Sequence, residues 1–266
     1  MTGLRLYGRY AAVSLRSQLQ YRASVVMQSI GAFMVTVVEF LGMWALFDRF
    51  GQVRGWTLPE VALFYGMISI SWSLCDALGR GFEVFGTMVK AGDFDRVLVR
   101  PRSTVLQLLG VELTLRRIGR FTQGVLVLGY AIASLDVDLS VPRALLVLAA
   151  IIGSICVFLG LLVLQATTAF WTTETLEVWH AFTYGGVTMS QYPLSIYRSW
   201  FRDLFTYIIP LGCVNYLPGL AILGHPDPLG TPVIVQWLAP LAGPVFLVLA
   251  LQVWKIGVRH YRSTGS

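Results

Sequence analysis

GRGFEVFGTMVKAGDFDRVLVRP, residues 79–101, is the stretch that decides how the chain is read. It sets Arg80, Lys90, Arg96 and Arg100 against Glu83, Asp93 and Asp95. Gly86 and Gly92 bracket residues 87–91, which predicts one or two helical turns. Pro101 stops whatever precedes it, because its ring fixes φ and removes a donor. Long apolar runs lie on both sides. A charged, folded interval between two apolar spans is where a membrane protein can touch a soluble partner.

Composition supports the membrane. Of 266 residues, 56% are hydrophobic and 13% charged, with mean hydropathy +0.68. Soluble domains carry about 25% charged residues. The net charge of +6 does not mark a nucleic-acid binder, because its arginines sit at span ends and not in one groove-sized cluster. Cys75, Cys156 and Cys213 stand alone in apolar contexts and read as packing residues. The apolar run from Ala23 is too long for a signal-peptide core and reads as a retained first span.

The pattern predicts an all-α integral membrane domain over 1–266, with six transmembrane helices. Residues 1–22 hold an amphipathic interfacial helix: at 100° per residue Arg5, Arg9 and Arg16 share one face with Gln20. The opposite face holds Leu4, Tyr7, Ala11 and Leu15. Spans 1 and 2 fill 23–79, at 23–47 and 60–79, each long enough to cross. The polar region is 80–103. Spans 3 and 4 occupy 104–171, at 118–135 with Arg120 snorkelling to the interface, and at 144–171. Span 5 is 178–192 and span 6 is 230–254.

Between them the pattern changes. Residues 194–224 contain Arg198, Arg202, Pro210, Gly212, Asn215 and Pro218. Two prolines eight apart make a straight lipid-exposed span untenable. Broken backbone at membrane depth survives where protein covers it. The reading is a re-entrant pair of short helices on the outer side.

Charge supports this order. With the N-terminus inside, Lys and Arg number four in 1–22, eight in 80–120 and three after span 6, which is 15 of 20 on the inner side. Both termini and Lys90 are then cytoplasmic, and Asp138 and His225 outside.

Two stretches carry a resemblance. Gly92, Phe94, Asp95, Leu98, Arg100 and Pro101 fit a G-x-(hydrophobic)-D-x-x-L-x-R-P pattern, and SQYPLSIYRSWFRDLFTYIIPLGCVNYLP runs over 190–218. In this order they resemble permease subunits of bacterial ATP-binding-cassette exporters, the six-span type-2, or type V, permease family. The resemblance implies that residues 85–90 form a coupling helix seated in a separate ATPase. Phe85, Gly86, Thr87, Met88 and Lys90 would belong to it, with Phe85 and Met88 facing the partner. Asp95, Arg100 and Pro101 would brace it against the inner ends of the spans, and Asp93 and Arg96 would belong to the same coupling region. The same resemblance implies that the interfacial helix touches the ATPase.

It also implies two ATPase copies and a second permease half, the same chain or a related one, in the bacterial inner membrane. The cargo would be hydrophobic or amphipathic. No cofactor is expected in this chain; ATP and Mg would be bound by the partner. Indeed Lys90 and Lys255 are the only lysines, and neither belongs to a phosphate loop.

Other residues stay open between roles. Glu39 and Asp76 are intramembrane acids, which suit either substrate or proton contact or an interhelical hydrogen bond. Tyr65 and Trp72 suit either a translocation path or packing. Tyr192, Pro193, Pro210, Asn215 and Pro218 mark the re-entrant region. A proton-coupled secondary transporter would need central acids, and neither Glu39 nor Asp76 clearly is. An integral membrane enzyme would need a catalytic cluster, and His180, His225 and His260 are scattered. No metal site is expected.

Overall fold

The computed structural model describes residues 3–135, 137, 140–172, 176–228 and 230–261, with backbone alone at 3–7, 9 and 176–177. The side chains of Arg5 and Arg9, and all of Asp138, lie outside the described residues.

Helices make up the chain, and no strand occurs among the described residues. They are α1 (Gly3–Leu19), α2 (Arg22–Phe50), α3 (Leu58–Glu83), α4 (Phe85–Lys90), α5 (Phe94–Leu98), α6 (Thr104–Leu109) and α7 (Ile118–Ser134). Then come α8 (Val141–Thr168), α9 (Leu176–Ser190), α10 (Ser199–Asp203), α11 (Leu217–Leu223), α12 (Val233–Leu238) and α13 (Ala242–His260). Four stretches are long and apolar enough to cross a membrane: Arg22–Phe50, Leu58–Lys90, Val141–Thr168 and Val233–His260. Helices α7 and α9 have 17 and 15 residues. At about 1.5 Å per residue they fall short of a hydrocarbon core about 30 Å thick.

Helix α3 is the axis. Its start is set by Thr57, whose backbone N–H and hydroxyl both donate to the Glu60 carboxylate, at 2.7 and 2.8 Å, with Pro59 in the first turn. Its apolar residues encircle it, so it must be wrapped on all sides. Of its most apolar window 83% is buried, against 17% for α2. Small residues let neighbours close in. Gly66 lies on the backbone of Leu128, and Gly124 of α7 lies on Ser69 and Ile70. Span 2 continues past residue 79 because Arg80 pairs with Glu83 one turn on, at 2.7 Å, which shelters both charges.

Contact registers give directions. Helices α3 and α8 run parallel, with Ser71 donating to the Ile151 carbonyl at 3.3 Å and Gly79 against Leu162. Helices α8 and α13 also run parallel, with Gly153 on Gly243, Gly160 on Phe246 and Gly257 beside Thr167 and Phe170. Helix α7 runs antiparallel to α3, from Arg117 beside Asp76 to Leu128 beside Gly66.

The closest of these crossings makes a prediction. A Cβ on Gly243 would collide with the Gly153 carbonyl backbone, and backbone cannot step aside. Gly243→Leu should therefore remove about 3 kcal/mol by overpacking, the upper end of the usual range. Thermal unfolding in detergent checks it; a variant as stable as the parent would mean that α8 and α13 do not touch there.

The region after α9 is broken, as expected. Segments Ser199–Ile208 and Gly212–Leu223 meet at 84°. Pro210 lies in the break. Both arms contain π-helical turns, Leu204–Ile208 and Gly212–Tyr216, which local strain and a missing proline donor favour. Pro218 lies within the second arm, two residues after its π-helical turn.

This region is tied to the loop before α3. The Trp56 indole N–H donates to Ser195 Oγ at 3.0 Å, and Arg54 Nη1 donates to the Ile196 carbonyl at 2.9 Å. Arg54 has a positive φ of +49° in the same turn. His225 Nε2 lies 2.6 Å from Glu60 Oε1.

Candidate functional site: the aromatic collar and the ion ladder

At the other end of the axis, α3 gives way to α4 through Val84, and Gly92 at φ +72° turns the chain into α5. Phe82, Phe85 and Val89 make one stripe, three and four residues apart. That stripe closes on Phe94, Phe170, Trp254 and Tyr261. The Phe85 ring centroid lies 4.9 Å from that of Phe94, 5.0 Å from Trp254 and 5.2 Å from Phe170. Phe94 stands edge-on to Tyr261 at 5.0 Å. The Trp254 indole N–H donates to Thr104 Oγ1 at 3.1 Å. The collar therefore joins the ends of α3, α8 and α13 to α4, α5 and α6. Burial, and then the Asp95 carboxylate beside it, push the Tyr261 phenol above its ordinary range.

This corrects one expectation. Phe85 does not face a partner: it is 0% exposed and belongs to the chain's own core. Met88 is half-buried. A six-residue helix is too short for its apolar residues to reveal which side is covered, and the docking rings come from distant sequence. The outward face instead carries Thr87, Lys90, Ala91, Asp93, Arg96, Val99, Arg100 and Pro101, all exposed. Val99 is 84% exposed beside arginines. Asp93 and Arg96 are 3.3 Å apart but solvated, a pair worth under about 1 kcal/mol. Gly86 is half-buried, with open space where a Cβ would stand.

Above the collar runs a ladder of polar contacts between α2, α3 and α7. The rung nearest the collar is Asp76, 4% exposed, with its Oδ2 2.7 Å from Arg117 Nε. Arg120, one turn along α7, reaches Glu39 of α2 at 3.5 Å. Arg120 is thus paired, where snorkelling was expected: two arginines three apart meet acids on two neighbouring helices. Higher still, the Tyr65 hydroxyl donates to the Thr36 carbonyl at 3.2 Å and accepts from Gln123 at 3.4 Å. Tyr65 and Trp72 are buried among helices of this chain, and Trp72 stands edge-on to Phe158 and Tyr184, both at 5.2 Å. Glu83 accepts from the Tyr184 hydroxyl at 3.4 Å.

Two features were missed by sequence reasoning. Arg117 gave a signal, since it opens α7 opposite Asp76. The other feature gave none. Helix α1 is held by Tyr10, Ser14 and Gln18, a mixed stripe that ranking by apolarity does not select. Ser14 Oγ accepts from the Leu113 N–H and Gln18 Oε1 from the Leu115 N–H, both at 2.9 Å. Gln18 Nε2 donates to the Leu113 carbonyl. Arg16 is exposed on the far side.

In the broken region, Asn215 Nδ2 donates to the Ser190 carbonyl at 2.6 Å, pinning it to the end of α9. Tyr192 and Pro193 line a cleft of about 240 Å³ with Trp56 and Tyr197. No group of three or more His, Cys, Asp or Glu that could hold a metal ion occurs among the described residues.

Residues 33–265 match the model of a family described as ABC-2 family transporter protein. The chain belongs to the ABC-2 transporter family. No curated protein and no solved structure matches it. As an ABC-2 family member it is a multi-pass membrane protein of the transport-permease type, a family that in general partners with an ABC ATPase. The ABC-2 match covers the collar, the broken region and all but the first turns of the ladder's α2, and it excludes α1.

Proposed function

We propose that this permease is one half of an exporter for a hydrophobic or amphipathic substrate. In this reading it makes six passes, with α7 and α9 as short third and fifth spans. Both termini are cytoplasmic, in a bacterial inner membrane. Two halves, identical or related, enclose the path, and two ATPase subunits binding ATP and Mg seat on the exposed face of α4 and α5. The alternating helix directions support six passes. The broken region between α9 and α12 supports an outer re-entrant element.

The observation that carries the reading is the collar. A surface meant to transmit force needs a stiff mount, and the face from Thr87 to Arg96 is mounted through Phe85 and Phe94 on three long helices. A proton carrier is less well supported, because Asp76 and Glu39 already face arginines.

Lys90→Glu with Arg96→Glu reverses two exposed charges on that face. ATPase copurification should fall at least about tenfold, by loss of electrostatic complementarity. Stability should change by less than about 0.5 kcal/mol, as for ordinary surface positions. ATPase retained at the parent level would move the seat elsewhere.

A further inference from the structure

Between α1 and the segment 97–112 lies an open groove of about 590 Å³, within the size range of small-molecule sites. Its floor is the clasp of Ser14 and Gln18 on Leu113 and Leu115. The Tyr10 ring closes one side against Gly110. The lining then divides by chemistry. Arg100 supplies a cation that forms no ion pair among the described residues. Glu112, half-exposed, supplies an anion, held only loosely by Arg80 at 3.9 Å. Gln107 is 6% exposed; its Nε2 donates to the Val97 and Arg102 carbonyls, while its Oε1 has no hydrogen-bond partner. Buried carbonyl oxygens are rarely left so. At the open side stand Val13 and Val111, apolar yet 68% and 44% exposed.

We propose that this groove holds the head group of a zwitterionic, primary-amine phospholipid. The phosphate pairs with Arg100. The ammonium, a triple donor, meets the half-exposed Glu112 carboxylate. The acyl chains leave over Val13 and Val111, which explains two apolar side chains that water would not favour. Helix α1 leads directly into the first span, so the groove lies at the level of lipid head groups. The site needs membrane insertion alone; it requires neither export nor an ATPase.

Native mass spectrometry of the purified full-length chain tests this. Lipid-stripped protein is titrated with phosphatidylethanolamine, phosphatidylcholine or phosphatidic acid. Phosphatidylethanolamine should bind about tenfold more tightly than phosphatidylcholine, whose methylated amine donates no hydrogen bond. Arg100→Gln should weaken every phospholipid about tenfold, whereas Glu112→Gln should erase only the preference for the amine. Arg259→Gln, an exposed cation outside the groove, should leave lipid binding unchanged. Equal losses in Arg100→Gln and Arg259→Gln would overturn the site in favour of diffuse surface charge. Displacement of bound lipid by an equal concentration of free phosphoethanolamine would overturn it in favour of a soluble ligand. Unfolding temperatures of the variants, measured alongside, should match the parent, since Arg100 and Glu112 are exposed.

Discussion

Asp76→Asn should cost about 3–5 kcal/mol of stability, the loss seen when one partner of a buried ion pair is removed. Asparagine keeps the shape, so the loss reports charge. Arg117, only 27% exposed along its side chain, is left facing a neutral amide within a packed helix bundle. The other acid beside this pair, Glu83, is engaged with Arg80. Adding Arg117→Gln should recover most of the loss, because the stranded charge is gone. Thermal unfolding of the two single variants and the double variant checks this. A double variant that loses the sum of the two single losses would show that Asp76 and Arg117 act independently.

Phe85→Ala should cost a similar amount, about 3–5 kcal/mol for a buried ring with nothing to refill its space. Its ring touches Phe94, Phe170 and Trp254, so three helix ends lose a shared neighbour. ATPase association should then fall as a consequence of a loosened mount. Thr87→Ala, two residues on and exposed on the opposite side of α4, serves as the comparison and should leave stability within about 0.5 kcal/mol. The measurement is unfolding in detergent followed by ATPase copurification. Full stability in Phe85→Ala with lost association would return Phe85 to the outward face.

Much of the architecture was legible because lipid imposes a crude rule. The arginines at 116, 117 and 120 with the apolar run after them placed a helical segment at 118–135, and α7 occupies Ile118–Ser134. Apolar length placed span 5 at 178–192, close to Leu176–Ser190. Pro210 announced the break. Boundaries failed where polar residues satisfy one another inside a helix. Arg80 with Glu83 prolongs α3, and Lys255, Arg259 and His260 continue α13 past residue 254. The candidate site was legible in position and not in orientation. The interval 79–101 stood out by charge, but the direction of Phe85 depends on Phe170 and Trp254, which no local period reports. Glu39 and Asp76 were readable as interhelical contacts; their partners follow only once α7 is laid beside α2 and α3.

The contact of Gly153 with Gly243 has a mechanical consequence. Helices that meet through side chains can roll, each knob swapping one socket for the next, as in shear motions. Where main chain rests on main chain there are no knobs to swap. Rotation of α13 about its own axis would bring a neighbouring residue's bulk against the Gly153 carbonyl. At this crossing the two rods therefore have one seating, and relative motion is resisted there more than along the loosely covered flank of α2.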